Sequence, residues 1–285
     1  MYGYGYQYSA ILKSGGGGVA PFVGLLDTYS GAESAYSLRQ LSGLYSGDAI
    51  RVRRASDNAE LNIGFVANEL DTAALTTFAS GTTATIVIWY DQSGNNRDLI
   101  QSTAIRQPVI YQSGSVILEG SKPSVRFTGN DVNPTFFDYG STQFLNDANI
   151  LCVTKNFNTA IGGIFSVQND TAAAKGMQLW NFNNNYTVWN SGGPSRLDTN
   201  NALGLFASIQ FGRNTSAASY TLVNGTLQSK TTTTEKTLNP YYIGTITSSQ
   251  YPYNGNISEL IVYNKNMYAD INGIETNVND YYGIY

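Results

Sequence analysis

The sequence predicts an all-β fold, an antiparallel β-sandwich with a few short helices. Only 13% of the 285 residues are charged, whereas Tyr and Gly number 21 and 29. That mixture is typical of short strands and many turns, and a helical bundle would need more Ala, Leu, Glu and Lys. Beyond about residue 85, β-prone segments also recur at short spacing with turn clusters between them, as in sandwiches.

The clearest strands flank a two-residue turn. Asn224-Gly225 joins residues 220–223 to residues 226–229, and both turn positions favour positive φ, as in a tight hairpin. Residues 49–54 alternate apolar and charged side chains, which predicts a half-buried strand. The other predicted strands are residues 85–90, 108–111, 123–127, 149–155, 163–167, 177–180, 186–189, 205–211, 241–244 and 255–263.

Three segments carry a helical pattern instead. Residues 30–44 place Ala35, Leu38 and Leu41 on one face, which predicts a helix. Two more helices are predicted: residues 71–78, with Asp71 at the N-cap, and residues 269–281, with Ile271, Ile274 and Val278 on one face.

Composition excludes several kinds of chemistry and partner. The chain has no His and one Cys, Cys152, so a Ser-His-Asp triad, an internal disulfide and a His- or Cys-rich metal site are excluded. A net charge of −4 argues against nucleic acid as a partner. No apolar run is long enough to span a membrane, and the first 18 residues lack the pattern of a signal peptide.

Residues 1–19 are predicted to be a flexible N-terminal arm, and residues 20–285 a single domain. Four consecutive glycines at 15–18 indicate a flexible joint. Ahead of them, Tyr2, Tyr4, Tyr6 and Tyr8 alternate with other residues and would share one face of an extended strand. They are therefore candidates for anchoring the chain to another protein; a disordered tail is the alternative.

The roles of several carboxylates can be interpreted in two ways. Asp57, Glu60, Asp71 and Asp91 could serve catalysis or calcium, but pairing with nearby arginines, helix capping and turn formation explain them as well. Residues 91–95 offer oxygen ligands that would suit calcium, although an Asx-type turn accounts for them without metal. We therefore expect no cofactor. Glu259 is expected to be an edge or surface charge rather than a catalytic group.

An aromatic hairpin carries the candidate contacts for a glycan. Trp180, Tyr186 and Trp189 lie near several asparagines, and rings beside amides suit sugar recognition. Packing of these rings in the core, with the asparagines in the turn, is the alternative.

A series of motifs resembles a known family. The motifs are Ala35-Tyr36-Ser37-Leu38-Arg39, residues 49–60, Ile63-Gly64-Phe65, residues 70–75 and Trp89-Tyr90-Asp91-Gln92-Ser93-Gly94-Asn95. In this order they resemble the N-terminal half of the arabinofuranosidase B catalytic domain, a glycoside hydrolase. The resemblance covers residues 25–130 and implies a concanavalin A-like jelly roll. Residues 255–263 are similar to the closing strand of laminin-G-like domains.

The departures from that family lead to a non-enzymatic expectation. The family carries an adjacent Cys-Cys pair beside its substrate pocket, and this chain has one cysteine. Residues 130–255 contain few carboxylates, Asp138 among them, and match no acidic catalytic segment of the family. No catalytic residue is therefore assigned, because glycoside hydrolysis normally needs two carboxyl groups across the sugar.

Similar chains occur among bacteriophage structural genes, so the resemblance implies a virion surface protein. A head fibre, spike or tail-associated adhesin, made in the host cytoplasm, would attach through its arm to other virion proteins. It would form a homo-oligomer, with a trimer favoured, and its lectin-like sandwich would serve host attachment through a surface glycan. The alternatives are a glycoside hydrolase of the arabinofuranosidase type and a free carbohydrate-binding module.

Overall fold

The computed structural model describes residues 21–129, 132–139, 147–157, 162–167, 177–182, 185–190, 196–198, 205–213, 219–231, 240–246 and 251–285. Its strands, in chain order, are β1 Ala32–Ser37, β2 Ile50–Arg54, β3 Glu60–Ile63, β4 Phe65–Val66, β5 Glu69–Leu70, β6 Ala84–Trp89, β7 Leu99–Ile100, β8 Val109–Gln112, β9 Ser115–Val116, β10 Leu118–Glu119, β11 Lys122–Pro123, β12 Val125–Phe127, β13 Phe137–Asp138, β14 Ala148–Asn156, β15 Gly162–Val167, β16 Met177–Phe182, β17 Asn185–Asn190, β18 Arg196–Asp198, β19 Ala207–Arg213, β20 Ser219–Val223, β21 Thr226–Thr231, β22 Pro240–Ile243 and β23 Gly255–Tyr263. The α-helices are α1 Leu25–Thr28, α2 Thr72–Phe78 and α3 Ile271–Tyr282, and Ala104–Arg106 forms a 3₁₀ turn.

The strands form an antiparallel sandwich, as predicted. The front sheet runs β3-β2-β6-β7-β13-β22-β15-β16-β17-β18. The back sheet runs β21-β20-β19-β14-β23, and the free edge of β23 pairs with both β1 and β12. Strand β8 pairs with β6 and with β12, so it joins the two sheets at one corner.

The main core lies between the two sheets. On the front sheet, a buried row is formed by Trp89 with its partner Leu99, and by Phe137 and Phe165, which both pair with Ile243; each of these side chains is fully buried. These residues alternate with neighbours on the other face of the same strands, because successive side chains point to opposite faces of a sheet. The buried row therefore defines which face of the front sheet is turned outward.

A second apolar layer lies behind the back sheet. Strand β23 is buried along its whole length, because Leu260 belongs to the core between the sheets while Ile261 packs against α3. Helix α3 contributes Ile274 and Val278 to this second layer, at the spacing that the sequence predicted for one helix face.

A buried carboxyl joins α3 to the back sheet. Glu275 accepts hydrogen bonds from Ser208 Oγ at 2.8 Å and Gln210 Nε2 at 2.9 Å, both on β19. Burial raises the pKa of Glu275 above its ordinary value of 4.5, against the opposing effect of these hydrogen bonds. A carboxyl with a raised pKa binds its proton more tightly in the folded state than in the unfolded state. Its contribution to stability is therefore present below the unfolded pKa and lost as pH rises through the folded pKa.

We expect Glu275→Gln to remove this loss of stability. Glutamine keeps an acceptor oxygen for Ser208 and Gln210 but carries no charge to desolvate. Thermal midpoints measured from about pH 4 to about pH 8 should fall less steeply for the variant than for the unmodified protein. Parallel pH profiles for the two proteins would contradict this assignment.

Local signals predicted most elements correctly. Asp71 caps α2 by accepting a hydrogen bond from the Ala74 N–H at 2.9 Å. Asn224 and Gly225 both have positive φ, 49° and 69°, in the hairpin between β20 and β21.

The predicted helix at residues 30–44 was wrong, because this segment contains β1. Ala35 pairs with Ile261 and Tyr36 with Leu260 of β23, and five of the six β1 residues are buried. A strand buried on both faces has no alternation of polar residues, so periodicity alone cannot distinguish it from a buried helix.

Two predictions concern segments that the structure leaves largely undescribed. Tyr2, Tyr4, Tyr6 and Tyr8 lie outside the described residues, so the arm at 1–19 and the domain boundary at residue 20 stay predictions.

In the described part of the chain, no helix is long and apolar enough to cross a membrane.

Candidate functional site

A straight row of residues crosses the outer face of the front sheet. Ile88, Ile100, Asp138, Tyr242 and Ser166 are neighbours in register on β6, β7, β13, β22 and β15. Each lies next to a member of the buried row, so the five side chains project away from the core. We call these five residues the outer-face row. It brings the exposed carboxyl of Asp138 next to Tyr242, whose backbone hydrogen-bonds with the buried hydroxyl of Ser166.

Asp138 is the carboxyl of the outer-face row. Its side chain is exposed, and partial burial of the carboxyl raises its pKa above the ordinary range, while the charge of Arg106 acts in the opposite direction. The Arg106 guanidinium lies 5.5 Å from the centre of the Phe136 ring. That ring meets Tyr242 edge-on with the ring centres 5.3 Å apart. Asp138 is thus flanked by a cation and an aromatic pair.

A second carboxyl, Asp98, lies on the same face. It directly precedes the inward-pointing Leu99, which alone separates it from Ile100 of the outer-face row. Asp98 Oδ1 accepts a hydrogen bond from the Asp91 N–H at 2.9 Å, which fixes the carboxyl. Burial raises the pKa of Asp98 above the ordinary range, and the neighbouring charge of Asp91 adds to that effect.

The register relates these two carboxyl groups. Ile100 pairs directly with Asp138, so Asp98 is the diagonal neighbour of Asp138, with Cα atoms roughly 8 Å apart. The carboxyl groups of glycosidases are about 5–10 Å apart across the bond that they cleave. Asp98 and Asp138 are therefore two carboxyl groups with raised pKa values on one face of the sheet, with backbones close enough for the side chains to reach that spacing.

Asp91 organises a loop rather than facing outward. Its Oδ1 accepts hydrogen bonds from the N–H groups of Ala35 and Ser93 at 2.8 and 2.9 Å, and Oδ2 accepts from Ser93 Oγ and the Arg97 N–H at 2.7 and 3.1 Å. A calcium ion at residues 91–95 would have to displace these donors. Within the described ranges, no three acidic or cysteine side chains cluster closely enough to hold a metal ion. Absence of a cofactor stays a prediction.

The other acidic residues of the motifs make local structural contacts. Arg54 Nη2 lies 2.8 Å from Asp57 Oδ2, and Arg51 Nη1 lies 4.0 Å from Glu60 Oε2. All four side chains are partly exposed to solvent. These contacts agree with the interpretation of the motif carboxylates as arginine partners.

Glu259 is not the surface charge that the sequence predicted. It is fully buried on β23 and pairs with Arg39, whose Nε and Nη2 donate to its two oxygens at 2.8 and 3.0 Å. Ser37 Oγ and Tyr282 Oη also donate to Glu259. The prediction failed because β1 and α3 cover the strand that carries this residue.

The predicted glycan contacts lie on β16 and β17, of which the structure describes the backbone. Trp180 pairs with Thr187, Tyr186 with Asn181 and Trp189 with Gln178. Gln178 in turn pairs with Ser166 of the outer-face row. The side chains of these aromatic residues are outside the described part of the structure, so their contact with a glycan stays a prediction.

Asp98 was not predicted as a functional residue from the sequence. It follows the turn cluster at 91–96 and shares no motif with Asp138. Local patterns could not have related the two residues, because their proximity depends on the pairing of β7 with β13.

Comparison with known proteins gives one family match. Residues 27–173, more than half of the chain, match the family model described as alpha-L-arabinofuranosidase B, catalytic. No curated protein sequence matches this chain.

Solved structures of arabinofuranosidases share the fold. One, an arabinofuranosidase complexed with arabinofuranosyl-alpha-1,2-xylobiose, has a TM-score of 0.65 at 16% identity over 90% of this chain. A GH54 α-L-arabinofuranosidase soaked with a cyclic sulfate inhibitor has a TM-score of 0.66 at 15% identity, over 89% of this chain. A mutant GH54 α-L-arabinofuranosidase soaked with 4-nitrophenyl α-L-arabinofuranoside has a TM-score of 0.67 at 15% identity, again over 89% of this chain. This chain spans 64% of the length of each.

The family match corrects the functional prediction. The prediction of a non-enzymatic virion protein (a head fibre, spike or adhesin) was wrong, because the matched family is defined by the catalytic domain of a glycosidase. The match supports the alternative that the sequence analysis left open, a glycoside hydrolase of the arabinofuranosidase type. The oligomeric state and the cellular location stay predictions.

Proposed function

Because the chain belongs to the family of the alpha-L-arabinofuranosidase B catalytic domain, we propose that it is a glycoside hydrolase that releases arabinofuranosyl units from a glycan. The outer-face row and the adjacent Asp98 form its active site, with Asp98 and Asp138 as the carboxyl pair. The observation that carries this proposal is their position as diagonal neighbours on one exposed sheet face, each with a raised pKa.

The two carboxyl groups have different surroundings, which suggests different roles. Asp98 accepts a hydrogen bond from a backbone N–H, and such a bond favours the ionised form. Asp138 is protonated more readily than an ordinary aspartate because burial raises its pKa. Asp138 is therefore the general acid that protonates the departing glycosidic oxygen. Asp98, in its ionised form, accepts a proton from the water that attacks the anomeric carbon, so that a bond to the water oxygen replaces the glycosidic bond.

The neighbours of the carboxyl pair suit a neutral sugar. Ile100 is 48% exposed and lies beside Asp138, where it can contact the apolar face of a sugar ring. Tyr242, on the other side of Asp138, is held by its edge-on contact with Phe136. A furanose lying over this part of the sheet would have its glycosidic oxygen near Asp138.

The test is hydrolysis of 4-nitrophenyl α-L-arabinofuranoside. We expect Asp138→Asn and Asp98→Asn each to lower kcat about a hundredfold or more, because each removes a carboxyl that acts in the transition state. The activity of the unmodified protein should fall as pH rises through the pKa of Asp138, since the general acid must be protonated. Asp57→Asn is the matched control, because Asp57 is an exposed carboxylate paired with Arg54.

Two outcomes would contradict the proposal. Full activity in Asp138→Asn or in Asp98→Asn, with an unchanged thermal midpoint, would show that the carboxyl pair is not catalytic. Binding of an arabinan by the unmodified protein without any release of arabinose would identify the sandwich as a carbohydrate-binding module.

A further inference from the structure

A cavity of about 440 Å³ is lined by none of the outer-face row, although one of its lining residues, Tyr45, has a pKa raised by burial and by the charge of nearby Asp98. We call it the edge cavity. It is lined by α1, by the loop that follows β1 and by the turn that follows β6, and its lining includes Leu26, Asp27, Ser30, Ser42, Tyr45 and Gln92. Ligand sites are typically concavities of roughly 300–1,000 Å³ with a few converging polar groups. The edge cavity has both features, and the proposed hydrolysis uses none of its residues.

Side chains hold the walls of the edge cavity in place. The Asp27 carboxylate accepts hydrogen bonds from the N–H groups of Gly24 and Gly43, each at 2.7 Å, and from Ser42 Oγ at 2.6 Å. These bonds tie α1 to the loop after β1. Gln92 accepts from the Leu41 N–H at 2.8 Å and donates to two backbone carbonyls of the same segment. A cavity with fixed walls binds a ligand at a smaller entropic cost than one that must be ordered.

The packing between these loops is close. A Cβ atom at Gly24 would lie 2.2 Å from the Leu41 carbonyl oxygen, and one at Gly43 would lie 2.3 Å from that of Phe22. Neither position tolerates a larger residue without movement of the backbone. The glycines therefore permit the loop contacts that form the cavity.

Unused hydrogen-bonding capacity in the edge cavity indicates the kind of ligand. A carboxylate offers about four acceptor positions, and the three bonds to Asp27 leave one for a ligand hydroxyl. Burial tends to raise the pKa of Asp27, but its hydrogen bonds outweigh that effect and lower the pKa overall. Ser30 adds an exposed hydroxyl, while Tyr45 and the exposed Leu44 provide apolar contact.

The charges at the rim favour a neutral ligand. Asp27 is the carboxylate of the lining and would repel an anion. Lys265 is nearby, but its Nζ donates to the Ser30 carbonyl oxygen at 2.6 Å and is thereby held at the rim. One negative and one positive charge leave no net field that selects a charged ligand. A carboxylate, hydroxyls and an aromatic ring together suit a sugar, whose hydroxyls donate while its C–H groups contact the ring.

We propose that the edge cavity is a second glycan-binding site, which holds one neutral sugar unit of a polysaccharide while another part of the chain reaches the outer-face row. The choice of a polysaccharide rests on the proposed function; the existence of the site rests on the cavity itself. Two sites on one chain raise the apparent affinity for a polymer through effective concentration, without improving the hydrolysis of a small substrate.

The experiment compares Ser30→Trp, which fills the cavity, with Ser80→Trp, at another exposed serine, after α2, that does not line the cavity. Binding to soluble arabinan is measured by affinity electrophoresis and by calorimetry. We expect the affinity of Ser30→Trp to fall about tenfold and that of Ser80→Trp to stay unchanged. Hydrolysis of 4-nitrophenyl α-L-arabinofuranoside should be the same in both variants. Leu44→Trp, at a position 93% exposed, is the second blocking variant if Ser30→Trp does not fold.

Failure of this proposal is distinguishable from failure of the proposed hydrolysis. Equal arabinan affinity in the blocked variant and in Ser80→Trp would overturn the second site, whatever the activity. Loss of arabinan binding in Ser30→Trp together with an inactive unmodified protein would support the second site and reject the hydrolase. A parallel loss of small-substrate hydrolysis in Ser30→Trp would contradict the proposed separation of the two sites.

Discussion

Replacing Glu259 with alanine is expected to lower the free energy of unfolding by about 3–5 kcal/mol, because it leaves a buried arginine without its counter-ion. Arg39 has a side-chain exposure of 8% and directs two donors at Glu259. Its guanidinium also lies 4.5 Å from the centre of the Tyr281 ring. The pair therefore joins β1, β23 and α3 at one point. Urea unfolding followed by tryptophan fluorescence, to which the buried Trp89 contributes, measures the loss.

A double variant is the control for this prediction. Arg39→Met combined with Glu259→Met removes both charges and replaces them with apolar side chains of similar length. Its loss of stability should be much smaller than that of Glu259→Ala, since replacing a whole buried ion pair is often close to neutral. Equal losses in the two proteins would mean that packing volume, rather than the unpaired charge, accounts for the effect.

Asp91→Ala is expected to cost about 3 kcal/mol or more, because each buried donor that loses its acceptor costs about 1–3 kcal/mol. The carboxylate accepts four hydrogen bonds, from Ala35 on β1 and from Ser93 and Arg97 in the turn after β6. The substitution therefore releases the turn and one of its attachments to β1. Thermal unfolding of the variant measures the loss.

Asp57→Ala is the matched control for Asp91→Ala. It also removes an aspartate that accepts several hydrogen bonds, but Asp57 is exposed and pairs with Arg54 at the surface. A surface pair contributes about 0–1 kcal/mol, so the control should lose far less stability. Similar losses in the two variants would show that burial of the Asp91 contacts is unimportant.

The candidate site was only partly predictable from the sequence. Asp138 was visible as one of few carboxylates in its region, and the motif resemblance included Asp91. What made Asp98 and Asp138 a pair was the alignment of β7 with β13. Pairing between strands far apart in sequence has no local signal, because it depends on which partner completes the sheet.

The sequence by itself determined the class of fold and its local elements. Turn chemistry at Asn224-Gly225, the cap at Asp71 and the apolar segment Gly255–Tyr263 depend on neighbouring residues, so they were predicted correctly. Only the tertiary structure decided that residues 32–37 form a strand and that Glu259 is buried. Both depend on what packs against the segment: β23 supplies the hydrogen-bonding partners of β1, and β1 with α3 removes Glu259 from water.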